Sequence, residues 1–408
     1  KILQINKFFY QKGGAESYYF ALSELLEAHG HEVIPFSMED ENNVESPYSN
    51  YFLSKLDLAK PGLSMIGQAG RFIWSKEAQY KLEALIKKTN PDIAHIHNIY
   101  HQISPSILST LKKHGIPVVM TAHDFKLICP NYSLYTEGSP CTRCKKFKFY
   151  NAITYKCLKD SYVFSALAAT EMSIHKLLQV YERSVDTIIA PSHFVKDIFI
   201  QFGQNADQIE VIPHFVDHTL LDESVKNGEV SDEPYLLYSG RLHEIKGVDK
   251  LIEILYKYKI TIPLRIAGRG PLKAKLERLV QQYGLDKQVQ FLGHLSKDEL
   301  KSQIARAQAV LIPSQVFETF GLAALESIAL GTPVIAYSIG ALPEIISEEV
   351  GLLIPQNDDD AFAKAIKTIL TWDKFEVKVA SKDMIESTYL PETHYNKIME
   401  VYDSAMKK

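Results

Sequence analysis

The residues best suited to chemistry lie in Pro313–Pro333, PSQVFETFGLAALESIALGTP, where Glu318 and Glu326 stand eight positions apart around a strand-to-helix turn. Val310–Ile312 reads as a short buried strand and Pro313 ends it; Leu322, Leu325 and Ala329 then recur at helical spacing until Gly331 supplies a left-handed stop. Glu318 therefore sits just before a helix and Glu326 about a turn and a half inside it, so both can face a crevice at the strand's carboxyl end. Carboxylates accept hydrogen bonds, which suits sugar hydroxyls. The first-turn N–H groups near Phe320, Gly321 and Leu322 suit an anion such as a phosphate. The plainer reading is an amphipathic helix with two solvated glutamates.

A second cluster precedes it. Tyr235–Ser239 reads as a strand, and Gly240-Arg241-Leu242-His243-Glu244-Ile245-Lys246-Gly247 leads from it into a helix starting near Val248. Arg241 and Lys246, in one glycine-flanked loop, can clamp a diphosphate from two sides. Gly268 and Gly270 follow the strand Leu264–Ala267, and His294 follows Val289–Leu292 and Gly293; backbone groups at these strand ends can read a nucleobase edge. In the first half, Gly13-Gly14 joins the strand Ile2–Ile5 to a helix over Ser17–Ala28. The strand Pro117–Thr121 ends in Ala122-His123-Asp124, where His123 can face a ligand and Asp124 can fix its tautomer. His95 and His97, at the end of another strand, are open to a cleft role or to a structural one.

These segments together resemble the retaining glycosyltransferases of family 4. The resemblance rests on Glu318-x7-Glu326 with FGL between them, GGAE near the start, SGR followed by EIKG at 239–247, AGRGP at 267–271, FLGHLS at 291–296 and GTPVIAY at 331–337, and it spans about residues 1–355. It implies the GT-B fold, an α/β architecture of two doubly wound Rossmann-like domains facing across a cleft. The implied reaction moves a sugar from a nucleoside diphosphate sugar, a UDP-sugar first, to an acceptor hydroxyl with retention. Arg241 and Lys246 are then expected on the diphosphate, Glu326 on the ribose, Glu318 and His123 on the donor sugar, and Gly13 and Gly14 near the donor phosphates and acceptor. A sugar-nucleotide epimerase of the same fold and a non-catalytic, metal-pinned scaffold are the alternatives.

Strands and helices alternate along the whole chain, as two such domains require. The expected division is 1–214 and 215–387, with residues 217–234 as linker and the helix 388–408 packing back onto the first domain by resemblance. At 408 residues, 46% hydrophobic and 23% charged, the chain has the composition of a globular protein. Its net charge of −4 argues against nucleic-acid binding. No apolar run of about 18 residues occurs. The opening KILQIN reads as a strand rather than a signal peptide, which leads to the expectation of a cytoplasmic protein.

All four cysteines fall within 29 residues, Cys129, Cys141, Cys144 and Cys157, spaced C-x11-C-x2-C-x12-C. The pattern suits a structural zinc site of four thiolates, with a disulfide or thiols as alternatives. Many family members lack these cysteines, so a catalytic role is not expected of them. No DxD-like pair stands in a suitable loop, Asp358–Asp360 reads as a helix cap, and catalysis is expected to need no metal. Residues 141–160 carry Arg143, Lys145, Lys146, Lys148, Lys156 and Lys159 against Asp160, interleaved with Phe147, Phe149, Tyr150 and Tyr155. That mixture suits the anionic inner face of a membrane or a lipid-linked glycan acceptor, with a solvated loop as the plain alternative. The polar loop 39–62 is a further place for acceptor contacts.

Overall fold

The structure, a computed structural model, describes residues 1–55, 70, 71, 73–220 and 234–407. The end of the loop 39–62 and most of the expected linker 217–234 lie outside these residues. The chain forms two units. The first takes Lys1–Leu134, Thr142–Pro213 and the chain from His394; the second takes Tyr135–Cys141 and His214–Thr393. The division thus falls at 213/214, and the return to the first unit begins inside the helix Pro391–Met406 rather than at 388. The assignment of Tyr135–Cys141 to the second unit was not anticipated.

In chain order the strands are β1 (Ile2–Ile5), β2 (Val33–Phe36), β3 (Ile93–Ile96), β4 (Val118–Thr121), the hairpin β5 (Tyr135–Thr136) and β6 (Ser139–Pro140), β7 (Thr187–Ala190) and β8 (Ile209–Val211). They continue as β9 (Leu236–Ser239), β10 (Leu264–Ala267), β11 (Val289–Gly293), β12 (Ala309–Ile312), β13 (Val334–Tyr337) and β14 (Gly351–Ile354). Every residue of β1, β3, β4, β7, β12 and β13 is buried. Unbroken apolar runs of this kind belong to parallel sheets covered on both faces. The first unit's sheet runs β2-β1-β3-β4-β7-β8 and the second's β11-β10-β9-β12-β13-β14, each six-stranded and wholly parallel. The strand order reverses between β1 and β3 in one sheet and between β9 and β12 in the other. Crevices open at the carboxyl ends of such pairs.

Caps set several helix starts. Ser75 accepts from Ala78 N at 3.1 Å ahead of Lys76–Thr89. Ser296 and Glu299 form a reciprocal capping box on Lys297–Arg306. Asp358 accepts from Ala361 N at 2.9 Å, the cap role read from the sequence. The helices Ser106–Lys113, Tyr162–Leu177, Lys273–Gln282 and Lys374–Met384 were not anticipated.

Helix Tyr162–Leu177 brings a charged residue into the first unit's interior. Glu171 is fully buried, and its Oε2 accepts from Lys126 Nζ at 2.7 Å and lies 3.5 Å from His101 Nε2. Burial alone would raise this carboxyl, but Lys126 and His101 pull it down to about 2. Lys126→Met strands that carboxylate and is expected to cost roughly 3–5 kcal/mol of stability, read from urea unfolding at neutral pH. Wild type should lose the pair's contribution as pH falls from 4.5 toward about 2, since the folded carboxyl stays ionised below its ordinary value.

Candidate functional site

In the second unit the β9–β12 reversal assembles the first cluster. The loop after β9 forms a tight turn at Glu244–Lys246, with His243 accepting from Ile245 N, and Gly247 turns left-handed at φ 66° to start the helix Val248–Lys257. The loop after β12 is tied to it by Gln315 N donating to Ile245 O at 2.8 Å. A Cβ on Gly247 would stand 2.2 Å from Pro313 O, so only glycine lets the two loops meet. Their meeting puts Lys246 Nζ 2.5 Å from Glu318 Oε1, and the Ser314 hydroxyl donates to the same oxygen.

Burial would push the Glu318 carboxyl up; Lys246 and Ser314 outweigh it and hold the group below its ordinary range. An ammonium has three donors, so Lys246 can keep Glu318 and still meet an anion. Arg241 is exposed, its carbonyl accepts from Tyr238 OH at 2.9 Å, and its guanidinium makes no ion pair among the described residues. Glu318 is also fixed from below, because Ala341 N donates to its carbonyl at 2.9 Å.

Glu326 lies half-buried in the helix Leu322–Ala329. Burial and the negative charge of Asp217 push its carboxyl up to about 7, against the opposing pull of Lys297 and Lys301. The helix starts at Gly321, left-handed at φ 106°, with Leu322 opening its first turn. Phe320 enters by its backbone alone, since its ring is buried 4.9 Å from that of His214. A Cβ on Gly268 would stand 1.8 Å from Gly240 O and one on Gly270 2.1 Å from Leu242 O, so these glycines serve the packing of loop on loop. His294 is exposed at the end of the edge strand β11 and is not brought to Lys246 and Glu318 by the sheet order.

In the first unit the β1–β3 reversal assembles a polar ladder. His97 Nε2 bonds Gln4 Oε1 at 2.9 Å, and His97 Nδ1 lies 2.8 Å from His123 Nε2. With the Gln4 oxygen as acceptor, His97 carries its proton on Nε2, so its Nδ1 accepts from His123 Nε2–H. The His97 and His123 rings stack at 5.1 Å, and Tyr18 meets His123 edge-on at 5.3 Å. Burial, helped by the charge of Lys7, depresses His123 to about 3.

The expectation that Asp124 orients His123 is corrected. Asp124 instead accepts from Tyr100 OH and from Lys126 N at 2.9 Å, and burial raises it to about 6. His97 does the orienting, aided by Gln4, which no sequence motif marked. Gly13 precedes the helix Gly14–Ala28 in extended backbone with room for a side chain. In the described part of the loop 39–62, Glu39, Asp40, Asn43, Glu45 and Phe52 line a cavity of about 590 Å³.

Cys129 and Cys144 are buried, Cys141 and Cys157 half-buried. Cys129 Sγ lies 2.9 Å from Asn131 Oδ1. Among the described residues no group of three or more His, Cys, Asp or Glu side chains is disposed to hold a metal ion, so the zinc expectation rests on cysteine spacing alone.

Residues 12–220 match the family described as Glycosyltransferase Family 4, and residues 221–384 match Glycosyl transferases group 1. An uncharacterized glycosyltransferase of Methanocaldococcus jannaschii is 34% identical over 253 residues, which is 58% of this chain and 64% of that protein, less than two thirds of its length. Among solved structures, sucrose-phosphate synthase from Thermosynechococcus elongatus superposes with a TM-score of 0.73 at 22% identity, covering 99% of this chain and 98% of that one. Anabaena HepE in complex with UDP-glucose gives 0.69 at 18% identity over 99% of each chain. These likenesses show the fold, GT-B.

Two outcomes are expected. A Cβ on Gly340, left-handed at φ 61°, would stand 2.4 Å from the backbone N and O of Glu318, so Gly340→Ala should cost more than about 1 kcal/mol in unfolding experiments and weaken ligand binding by moving Glu318. Histidine ¹⁵N spectra should show His123 as a single Nε2–H tautomer from about pH 5 to 8, and as a mixture in His97→Phe. An unchanged tautomer in that variant would remove the orienting role of His97.

Proposed function

This chain belongs to glycosyltransferase family 4, and from that premise we propose that it transfers a sugar from a nucleoside diphosphate sugar to an acceptor hydroxyl with retention of configuration. The observation that carries the donor reading is the Lys246–Glu318 pair at the β9–β12 crevice. It sets a cation and an acceptor-only group side by side, as a diphosphate and a sugar hydroxyl require. Lys246 and Arg241 stabilise the charge that develops on the leaving diphosphate, with the amides opening the helix Leu322–Ala329. Glu326 accepts from the ribose, and Glu318 serves the donor sugar. A UDP-sugar is the first choice of donor, supported by HepE having been captured with UDP-glucose.

The acceptor is a sugar or lipid-linked glycan, in keeping with the basic and aromatic segment 141–160, which is proposed as a contact with an anionic lipid surface. Surface polysaccharide or glycolipid assembly is the setting this suggests. The chemistry proposed draws on no resident metal.

Thermal shifts with UDP-, GDP-, ADP- and CDP-sugars should single out one base. Lys246→Ala should lower kcat/KM for that donor, with acceptor or with water, by about 2–4 kcal/mol of transition-state stabilisation. Unaltered turnover would refute the diphosphate assignment. Because Glu326 is raised to about 7, its ribose contact should strengthen as the carboxylate ionises. Nucleotide affinity should therefore rise as pH climbs through about 7, and Glu326→Gln should flatten the profile.

A further inference from the structure

The helix Tyr162–Leu177 is inside out in its charges. Its buried side carries Glu171 and His175. Its outward side carries Val163, Leu167, Thr170, Ile174 and Leu177 at four- and three-residue spacing, flanked by the exposed Tyr162 and Ser173; Leu167 and Ile174 are half-buried, and no charged residue is exposed on that face. Leu177 is 84% exposed, Val163 66% and Tyr162 59%. An amphipathic helix on a water-facing surface presents the reverse arrangement, and large apolar side chains left exposed at both ends of an uncharged face mark an interaction surface.

The rim of this stripe is cationic. Lys156 Nζ sits 4.9 Å from the Tyr162 ring and Lys159 Nζ 4.5 Å from that of Phe164, at the helix start. Near the other end, Lys176 Nζ lies 3.9 Å from the ring of Phe147, beside the exposed Lys146 and Lys148. The exposed Tyr150 adds an amphipathic ring; Asp160 stands among the lysines at the helix start, and Glu182 Oε1 pairs with Lys176 Nζ at 2.5 Å, which leaves Lys146, Lys148, Lys156 and Lys159 as the rim's cations. A cationic border around an apolar stripe is complementary to lipid phosphates around acyl chains. A second copy of the chain would instead oppose one cationic rim to another.

We infer that the outward face of Tyr162–Leu177 lies in the interface of an anionic bilayer, its apolar side chains at the headgroup–acyl boundary and the rim lysines on the phosphates. No helix among the described residues is long and apolar enough to cross a membrane, so the contact is with one leaflet. The inference extends the lipid contact proposed for residues 141–160, and it holds whatever sugar is transferred.

The test is cosedimentation of the purified chain with vesicles of phosphatidylcholine, alone and mixed with phosphatidylglycerol. Wild type should pellet with the mixed vesicles and be released by salt. Val163→Glu with Leu177→Glu should reduce partitioning on the order of tenfold or more, with circular dichroism and melting unchanged, because both side chains already face water. Tyr80→Glu, at a residue 78% exposed in the helix Lys76–Thr89, should have no effect. Loss of binding in Lys146→Glu with Lys148→Glu but full binding in the Val163/Leu177 variant would keep the basic segment and overturn the helix. Failure of wild type to pellet would overturn it as well, as would a dimer in solution that dissociates in the Val163/Leu177 variant. Sugar-nucleotide thermal shifts on the same variants keep the transferase reading separate, since neither pair belongs to the donor residues.

Discussion

Every strand of a wholly parallel sheet delivers its carboxyl end to the same edge, and wherever the strand order reverses, the flanking loops part in opposite directions. That constraint governs both units. Between β9 and β12 it leaves a space that the loops bearing Lys246 and Glu318 fill from either side. Between β1 and β3 it brings Gln4 and His97 within reach of His123, just past the end of β4. The loops close only because glycine lies where backbone meets backbone, as at Gly247 under Pro313 and Gly340 under Glu318. The glycines of the motifs therefore have a structural reason independent of any ligand.

Within the second unit, two carboxylates eight residues apart are driven in opposite directions. Glu318 meets an ammonium and a hydroxyl and stays ionised; Glu326 meets burial and Asp217 and rises to about 7. Environments that push two acids apart divide their roles. Glu318 is committed to accepting hydrogen bonds at any ordinary pH, whereas Glu326 can hold a proton near neutrality and give it up when a ribose offers two hydroxyls.

Much of this was legible in the sequence because buried parallel strands are continuous apolar runs and the loops after them are punctuated by glycine and proline. The strands of both sheets, the Arg241–Lys246 loop and the Glu318–Glu326 helix were all readable on that basis. Pairings across the sheet were not. Asp124 stands next to His123 in sequence, but its carboxyl accepts from Tyr100 OH and the Lys126 N–H, and His123 meets His97, 26 residues away. Local sequence cannot show that Gln4 of β1 lies beside His97 at the end of β3; the pairing of the two strands does. The helix Tyr162–Leu177 escaped for a different reason. Periodicity reveals a helix when one face is polar, and here the exposed face carries no charge while Glu171 and His175 turn inward.

That inversion carries a free-energy cost at two places, and the two are compensated differently. Burying Glu171 is offset inside the first unit, where Lys126 and the His101 ring meet one of its oxygens and hold it ionised. Exposing Leu177 and Val163 has no such offset in the folded chain, for both remain largely open to water. A polar substitution at either position would remove that exposure without disturbing a buried contact. Apolar residues at positions where packing does not require them point to something outside the chain that does. The lysines standing over Tyr162 and Phe164, with the exposed Lys146 and Lys148, decide which kind, since their charges gather where apolar side chains end, the arrangement a headgroup layer presents in reverse.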